Sequence, residues 1–537
     1  MSSVKTVIRG GRIVDGTGSD GYVADVAIAE GKIVRIGPNL PPETEEETIP
    51  AEGLVVSPGF VDAHSHDDLY LLIDPACSVK VAQGVTTTVI GNCGVSAAPL
   101  VEEAFEDVLD ILRLFGGEEA AREHFSVQTF EGFNKKLRGA GLGIHVVPLV
   151  GHTTVRMAVM GSEHRAPDRR ELSVMCDHVE QAMEAGAFGL SSGLIYAPGS
   201  YAAPEEIAAL CQVVEGRGGV YTTHIRNEGD LLIHAVEEAI QVGRETGVPV
   251  HISHHKAMGR NNRGRSADSL RIMAEARTEG IRTTCDQYPY NAASTTLSAA
   301  LPHDALNEGV EQLREKLQDP AVREAYRFEM EKGGGTGGEN LVQLAGFEGI
   351  VVSASQARPD CIGASIAQAA ERAGVDPFDL VFDLVSEEAR GTFVVVFAMS
   401  DEDIEWIMQD PFTMVGTDGI PAFGESKTHP RMTGTFPRVL GTYVRERGVL
   451  SLEEAVRKMT SLPCRTFGLH GKGVIEEGYD ADLVIFDPER IRDGSTYDQP
   501  YLKPEGIHTV FVAGEAAVKD GDVQGVRSGK VLKPHSA

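Results

Sequence analysis

Long hydrophobic runs are missing from this chain of 537 residues. No apolar stretch reaches the roughly 18 residues of a membrane-spanning helix, and residues 1–11 contain no apolar core typical of a signal peptide. The seven cysteines are scattered and form no Cys-x-x-Cys pair, which is typical of reduced thiols rather than of a disulfide framework. The sequence therefore predicts a cytoplasmic protein with no membrane span.

Positive charge is also scarce. The chain has 49 Lys and Arg against 79 Asp and Glu, a formal net charge of -30. Nucleic-acid backbones are bound by clustered cations, so this balance argues against a nucleic-acid partner. It leaves room for a small anionic substrate, which needs only a few positive groups close to it. Hydrophobic residues at 42% and charged residues at 24% are typical of a globular fold.

Both ends of the chain are rich in short strand patterns. Apolar segments at 5–8, 12–14, 23–29 and 32–36 are separated by Gly-Gly, Asp-Gly and Glu-Gly turns, and similar segments lie at 481–486 and 509–512. We expect residues 1–57 and 470–537 to meet in one small β-sandwich, with the rest of the chain between them.

The middle of the chain, residues 58–469, alternates apolar runs with amphipathic helical stretches. Eight candidate strands lie at 60–64, 86–91, 144–150, 188–192, 220–224, 250–254, 282–288 and 413–418. This alternation favours an α/β fold of the (β/α)₈ or TIM-barrel type, with an open doubly wound sheet as the alternative. Residues 100–141 and 296–410 are too long for simple loops, so we predict insertions there, the second a lid near the barrel mouth.

Metal-ligand residue types gather at the ends of these candidate strands. Each alone is more typical of a core or loop residue, but together they lie where barrel active sites are built. Thiolate, imidazole and carboxylate are the ligands that Zn²⁺ prefers. The six residues, at five strand ends, are His64, His66, Cys93, His224, His254 and Asp418.

Several motifs carry a family resemblance. They are Pro-Gly-Phe-Val-Asp-Ala-His-Ser-His-Asp-Asp at 58–68, Gly-Asn-Cys-Gly-Val-Ser at 91–96, Gly-Leu-Ser-Ser-Gly-Leu at 189–194, Thr-His-Ile-Arg-Asn-Glu at 223–228, Ser-His-His-Lys at 253–256, Tyr-Pro-Tyr at 288–290, Thr-Asp-Gly at 417–419 and His-Pro-Arg at 429–431. With them the chain resembles the N-acyl-D-amino-acid deacylases (D-aminoacylases) of the amidohydrolase superfamily. The cysteine motif is the specific part, because most amidohydrolases place a carboxylated lysine or a glutamate between their metals.

The resemblance implies a metal site. Cys93, His224 and His254 would hold one tightly bound zinc ion. A second position, often weak or empty, would be lined by His64, His66 and Asp418. Three protein ligands leave one coordination position open for water, and zinc lowers the pKa of that water toward neutrality.

The resemblance also implies hydrolysis of the amide bond of an N-acyl-D-amino acid, which gives a carboxylic acid and a free D-amino acid. Asp418 would take a proton from water and pass it to the leaving amine, although Asp-Gly is also a common turn. Lys256, Tyr288 and Arg431 would hold the substrate carboxylate. Arg226 is a further candidate cation.

Two other functions stay open. A hydantoinase-like or dihydropyrimidinase-like amidohydrolase would act on a cyclic amide, though such enzymes usually use a lysine carbamate in place of Cys93. A barrel that has lost its chemistry would be a binding scaffold, but no ligand of the set is missing. Ala293 stands where family members often carry glycine, and its Cβ is expected either to narrow the pocket or to shift the backbone next to the substrate.

Overall fold

The structure, a computed structural model, describes residues 6–42, 47–112, 118–302, 305, 309–332, 339–388, 391–420 and 426–534. Its strands are β1 (Thr6–Ile13), β2 (Tyr22–Ala29), β3 (Lys32–Gly37), β4 (Glu47–Pro50), β5 (Val55–Pro58), β6 (Phe60–Asp62), β7 (Val85–Ile90), β8 (His145–Pro148), β9 (Val150–Gly151), β10 (Gly189–Gly193), β11 (Val220–His224), β12 (Val250–Ile252), β13 (Thr283–Gln287), β14 (Ala293–Thr296), β15 (Ile350–Ala354), β16 (Phe393–Val396), β17 (Thr413–Val415), β18 (Leu483–Phe486), β19 (Ile507–Val512), β20 (Glu515–Lys519) and β21 (Asp522–Val523).

The helices are α1 (Tyr70–Ile73), α2 (Ser78–Val81), α3 (Phe105–Leu112), α4 (Glu118–His124), α5 (Phe130–Ala140), α6 (His152–Met160), α7 (Arg169–Glu184), α8 (Pro204–Gly216), α9 (Leu232–Thr246), α10 (Arg265–Thr278), α11 (Val310–Lys316), α12 (Pro320–Lys332), α13 (Leu341–Gly349), α14 (Ile366–Ala373), α15 (Pro377–Glu387), α16 (Asp401–Gln409), α17 (Arg431–Arg438), α18 (Leu452–Met459) and α19 (Ser461–Thr466). None of those in the described part of the chain is both long and apolar enough to cross a bilayer.

Parallel strands form a closed (β/α)₈ barrel, as the alternation predicts. β6, β7 and β8 pair in order, β8 continues through Leu149 into β9, and β9, β10, β11, β12, β13 and β17 complete the series. The last strand returns to the first, because the Asp418 N–H donates to the His64 carbonyl at 2.8 Å and Ser65 bridges Gly419. This closure rules out the open sheet. β7, Val-Thr-Thr-Thr-Val-Ile, is buried at every position, as expected of a β-branched barrel strand.

The two chain ends contribute to a single sheet. Its order is β21-β20-β19-β18-β5-β1-β2-β3, with β4 paired to β1. The join is the antiparallel pair β5–β18, in which Val56 faces Ile485. The β2–β3 hairpin turns at Glu30 and Gly31, whose φ values of 50° and 75° are those of a type I′ turn.

The segment between β13 and β17 is a folded unit and not a loop. β14, β16 and β15 form a separate antiparallel sheet, and α11 to α15 surround it. The unit has its own hydrophobic cluster, which includes Leu297, Leu317, Ile350 and Val381. It therefore has a rigid core with which to form one side of the barrel mouth. The other predicted insertion, after β7, is helical and contains α3, α4 and α5.

Candidate active site

The six ligand-type residues predicted from the sequence all lie at the carboxyl ends of barrel strands. His224 is the last residue of β11, His254 follows β12 by two residues, and Cys93 follows β7 by three. His64 and His66 follow β6, and Asp418 follows β17. Because the strands are parallel and closed into a cylinder, these ends meet at one mouth. All six side chains are buried there.

Three of these residues have left-handed backbone. The φ values are 51° at Cys93, 34° at His254 and 47° at Asp418. For a residue other than glycine this conformation costs about 1–2 kcal/mol, and it persists only where the surrounding structure imposes it. Here it breaks the alternation of the strand and turns each side chain into the barrel mouth.

Cys93 lies at the centre of the cluster. Its Sγ is 3.4 Å from His64 Nε2 and 3.4 Å from His254 Nε2. Zinc–sulfur and zinc–nitrogen bonds of about 2.3 and 2.0 Å place two tetrahedral ligand atoms roughly 3.5 Å apart. The ring of His224 packs 4.3 Å from that of His254, centroid to centroid. His224 Nε2 is buried with no hydrogen-bond partner among the described residues, as suits a nitrogen that binds a metal.

A second group of donors adjoins the first. Asp418 Oδ1 is 3.3 Å from His66 Nε2 and 3.6 Å from His64 Nε2. In each of the triads His64–Cys93–His254 and His64–His66–Asp418, the donor atoms lie within 4.8 Å of one another. These two triads share His64 and contain five of the six residues. The sixth, His224, forms a third triad with Glu228 and His254, whose donor atoms also lie within 4.8 Å of one another. The donors present fit a metal centre.

Electrostatics keeps the two anionic donors ionised. Burial opposes ionisation of Cys93, but the imidazoles of His64 and His254 outweigh it and hold the pKa of the thiol well below its usual value. Burial also opposes ionisation of Asp418, but Arg431 and His254 outweigh it and hold the pKa of the carboxyl well below its usual value. A thiolate and a carboxylate are the forms that bind metal.

Two carboxylates orient the histidines from behind. Glu228 Oε1 is 2.9 Å from His254 Nδ1, and Asp286 Oδ2 is 3.3 Å from His64 Nδ1. Each contact occupies the ring nitrogen that faces away from Cys93 and leaves Nε2 toward the centre. The sequence analysis missed both. Glu228 is the last residue of the motif at 223–228. Asp286 is an acidic residue within the buried strand β13, and an acidic residue in such a strand is the signal that could have identified it.

The three predicted carboxylate-binding residues lie beside the metal-ligand cluster. The Arg431 guanidinium carbon is 4.7 Å from the Tyr288 ring centroid, and Lys256 Nζ is 5.5 Å from it. Arg431 Nη1 is 2.8 Å from Asp418 Oδ2, while Lys256 Nζ donates to Glu228 Oε1 at 2.6 Å. Within the described part of the chain, Tyr288 Oη and Arg431 Nη2 have no hydrogen-bond partner although both are buried. Buried donors of this kind suit an anionic ligand.

Arg226 is not part of this pocket. Its guanidinium pairs with Glu238 at 2.8 Å and donates to the carbonyls of Ser200 and Ala202. The expectation that it is a further pocket cation is wrong, because its neighbours on α9 and in the loop before α8 already satisfy it.

One cavity of about 220 Å³ joins these groups. Its floor is polar and holds the ligand-type residues with Lys256, Tyr288 and Arg431. Its walls are largely apolar, and many wall residues come from the unit between β13 and β17. The wall residues include Val95, Ile195, Met258, Ala293, Leu301, Pro302, Leu341, Phe393, Val396 and Ile420.

Comparison with known proteins identifies close relatives of full length. Residues 47–518 match the family model Amidohydro_3, which describes an amidohydrolase family. A D-aminoacylase of Alcaligenes xylosoxydans xylosoxydans is 36% identical over 98% of this chain and 97% of its own. An N-acyl-D-aspartate deacylase of the same organism is 36% identical over 99% and 95%.

Solved structures agree. N-acyl-D-glutamate deacylase from Bordetella bronchiseptica, complexed with zinc and a phosphonate that mimics the tetrahedral intermediate, is 35% identical. It has a TM-score of 0.83 over 99% of this chain and 100% of that one. L-hydantoinase from Arthrobacter aurescens, at 15% identity and a TM-score of 0.56, shares the fold alone.

Proposed function

Because the chain belongs to the D-aminoacylase family of the amidohydrolases, we propose that it hydrolyses N-acyl-D-amino acids to a carboxylic acid and a free D-amino acid. It is a metal-dependent hydrolase of amide bonds. The observation that carries the proposal is the single cavity in which a thiolate–imidazole cluster adjoins a Lys–Tyr–Arg group. The first suits a metal and the second suits a carboxylate, so an N-acyl amino acid meets both at once.

The metal in this proposal is zinc. Cys93, His224 and His254 would hold one ion, and His64, His66 and Asp418 would line a weaker second position. Three observations support the first set: Cys93 Sγ is 3.4 Å from His254 Nε2, the ring of His224 lies 4.3 Å from that of His254, and His224 Nε2 has no hydrogen-bond partner among the described residues. When bound, zinc supplies a water molecule whose pKa is lowered toward neutrality and polarises the amide carbonyl.

Asp418 is the proton carrier in the proposed reaction. Arg431 holds its Oδ2, so Oδ1 faces the reacting groups. The carboxylate accepts the proton of the attacking water at Oδ1 and passes it to the amine nitrogen as the amide bond breaks. One group thus serves as base and then as acid.

Lys256, Tyr288 and Arg431 hold the carboxylate of the amino acid. Arginine offers a planar pair of donors, lysine a point charge and tyrosine a hydroxyl. All three are at least 96% buried, so their interaction with an anion is little screened by water.

Paired substrates test the proposal. Protein depleted of metal and then reloaded with zinc is assayed on N-acetyl-D- and N-acetyl-L-amino acids, with hydantoin and dihydrouracil alongside. We expect turnover of the D members that depends on zinc. Equal turnover of both enantiomers, or faster turnover of the cyclic amides, would contradict it.

A cysteine variant tests the metal assignment separately. Cys93→Ala should lower the zinc content of the purified protein and reduce hydrolysis by about 10²-fold or more. Cys176→Ala is the matched control, since Cys176 is half-buried on α7 and does not line the cavity. Full zinc content and activity in Cys93→Ala would refute the ligand set.

We also propose that residues 1–57 with 470–537 form a small β-sandwich and 58–469 the barrel domain, with a lid within 296–410. The pairing of β5 with β18 supports the first unit, and the separate hydrophobic cluster of the insertion supports the lid. We further propose that the protein is cytoplasmic and that its binding partner is a small-molecule substrate that bears a carboxylate. Cell fractionation checks the location.

A further inference from the structure

The side chain of the substrate is the part that the proposed function leaves open. The relatives described above include proteins named for D-aspartate, for D-glutamate and for D-amino acids in general, so family membership does not select among them. The residues that line the cavity of this chain do select among these substrates.

The insertion between β13 and β17 gives the cavity an apolar side. Leu301, Leu341, Phe393 and Val396 line it there, and Met258 adds a thioether from the loop after β12. Leu341, Val396 and Met258 are nearly inaccessible to solvent, and Val396 lies within the insertion's own hydrophobic cluster. These side chains therefore present an apolar face that is held in place by packing. Hydroxyl side chains of the same insertion, Ser294, Thr295, Thr296 and Ser298, line the cavity next to it.

The positive charge in the described lining comes from two residues of the cavity floor. Among the described residues that line the cavity, Lys256 and Arg431 are the only lysine and arginine. Both adjoin Tyr288, where the proposed function places the α-carboxylate. The ionisable side chain that the insertion contributes to the described lining is acidic, Glu339, and its carboxyl already accepts the Glu228 N–H.

We propose that the apolar wall formed by Leu301, Leu341, Phe393, Val396 and Met258 binds the substrate side chain, and that the enzyme selects N-acyl-D-amino acids with uncharged, apolar side chains. This rests on the proposed function. An acidic side chain would lose its hydration at that wall and meet no cation in exchange, which is strongly unfavourable. A leucine-like or phenylalanine-like side chain gains by leaving water.

Two substrates of nearly the same shape give the sharpest test. N-acetyl-D-leucine and N-acetyl-D-aspartate differ in the exchange of an isopropyl group for a carboxylate. N-acetyl-D-asparagine and N-acetyl-D-lysine complete the panel. We expect kcat/KM for D-leucine to exceed that for D-aspartate by about 10²-fold or more. Equal or greater kcat/KM for D-aspartate or D-lysine would overturn the inference and leave the proposed function intact. If no N-acyl-D-amino acid is hydrolysed, the proposed function fails and this inference falls with it.

A charge placed on the wall provides a second test. Phe393→Arg should lower the leucine-to-aspartate ratio of kcat/KM by about tenfold or more, because it supplies the missing cation. Phe397→Arg is the matched control, since Phe397 follows the same strand, is 38% exposed and does not line the cavity. An unchanged ratio in a folded Phe393→Arg protein would contradict the placement of the side chain. If that variant is unstable, the wild-type comparison of leucine with aspartate still decides the inference.

Discussion

At the scale of single residues, the backbone of Asp418 determines which substitution reports on chemistry. Its φ of 47° is a conformation that asparagine tolerates better than most residues do. Asp418→Asn therefore keeps the local fold and removes the ability to carry a proton, together with the negative charge that pairs with Arg431. We expect retained zinc and a fall in kcat of about 10²-fold or more, measured by metal analysis and steady-state kinetics. Near-normal turnover would remove Asp418 from the proposed proton transfer.

Arg431 is the residue for which the structure adds most to the sequence. The motif alone predicts a group that holds the substrate carboxylate, whose loss raises KM. The 2.8 Å contact with Asp418 adds a second role, that of positioning the proton carrier. We expect Arg431→Ala to raise KM by about tenfold or more and to lower kcat as well. Arg226→Ala is the control and should leave KM unchanged, because Arg226 is bound to Glu238 outside the cavity. A change in neither constant for Arg431→Ala would exclude it from the site.

At the scale of strands and helices, periodicity located the barrel strands but not their ends. The patterns predicted strands ending on His64, His254 and Asp418, whereas β6, β12 and β17 end at Asp62, Ile252 and Val415. The side chains after those points must face a common centre, so the backbone leaves the ladder and, at His254 and Asp418, turns left-handed. Ligand types at strand ends are visible in the sequence. The left-handed turns, and the insertion's three-stranded sheet, depend on tertiary contacts that no local pattern contains.

Partners distant in sequence were out of reach for the same reason. Glu228 and Asp286 carry no spacing that ties them to His254 and His64, and only the closed barrel brings them together. Lys80 on α2 is a further case. Fully buried, it pairs with Asp62 at 2.5 Å and Asp67 at 3.2 Å and donates to Thr417 Oγ1 at 2.7 Å. One ammonium group thus links the ends of β6 and β17, the two strands that close the barrel beneath the site.

Removing that ammonium group should destabilise the protein without touching substrate. Lys80→Met leaves the carboxylates of Asp62 and Asp67 buried without their cation, which costs about 3–5 kcal/mol. We expect a large fall in the urea midpoint and in thermal stability. Lys135→Met, at an exposed position on α5, is the matched control and should change stability little. Equal stability of the two variants would show that the buried pairs contribute nothing.

At the scale of the whole molecule, the terminal sheet supports the barrel from the end opposite the mouth. Asp482, just before β18, accepts hydrogen bonds from Lys472 Nζ at 2.5 Å and from the Ala513 N–H at 2.7 Å, and it lies 3.1 Å from His145 Nε2 at the start of β8. Val531 then bridges Val146 on the same strand. The chemistry and the scaffold therefore occupy opposite ends of one cylinder, so stability can change there while the site stays intact.

Acid sensitivity follows from that arrangement. Burial opposes ionisation of Asp482, but His145 and Lys472 outweigh it and hold the pKa of the carboxyl well below its usual value of about 4. A group with a lowered folded-state pKa stabilises the fold above its unfolded pKa, and this contribution is lost as the pH falls below about 4. Asp482→Asn should therefore lower the thermal midpoint at pH 7 and approach the wild type as the pH drops toward 3. Its kcat/KM at pH 7 should be unchanged, because Asp482 does not line the cavity. A gap in thermal midpoint that stays constant from pH 7 to pH 3 would show that the ionised carboxylate is not what joins the sheet to the barrel.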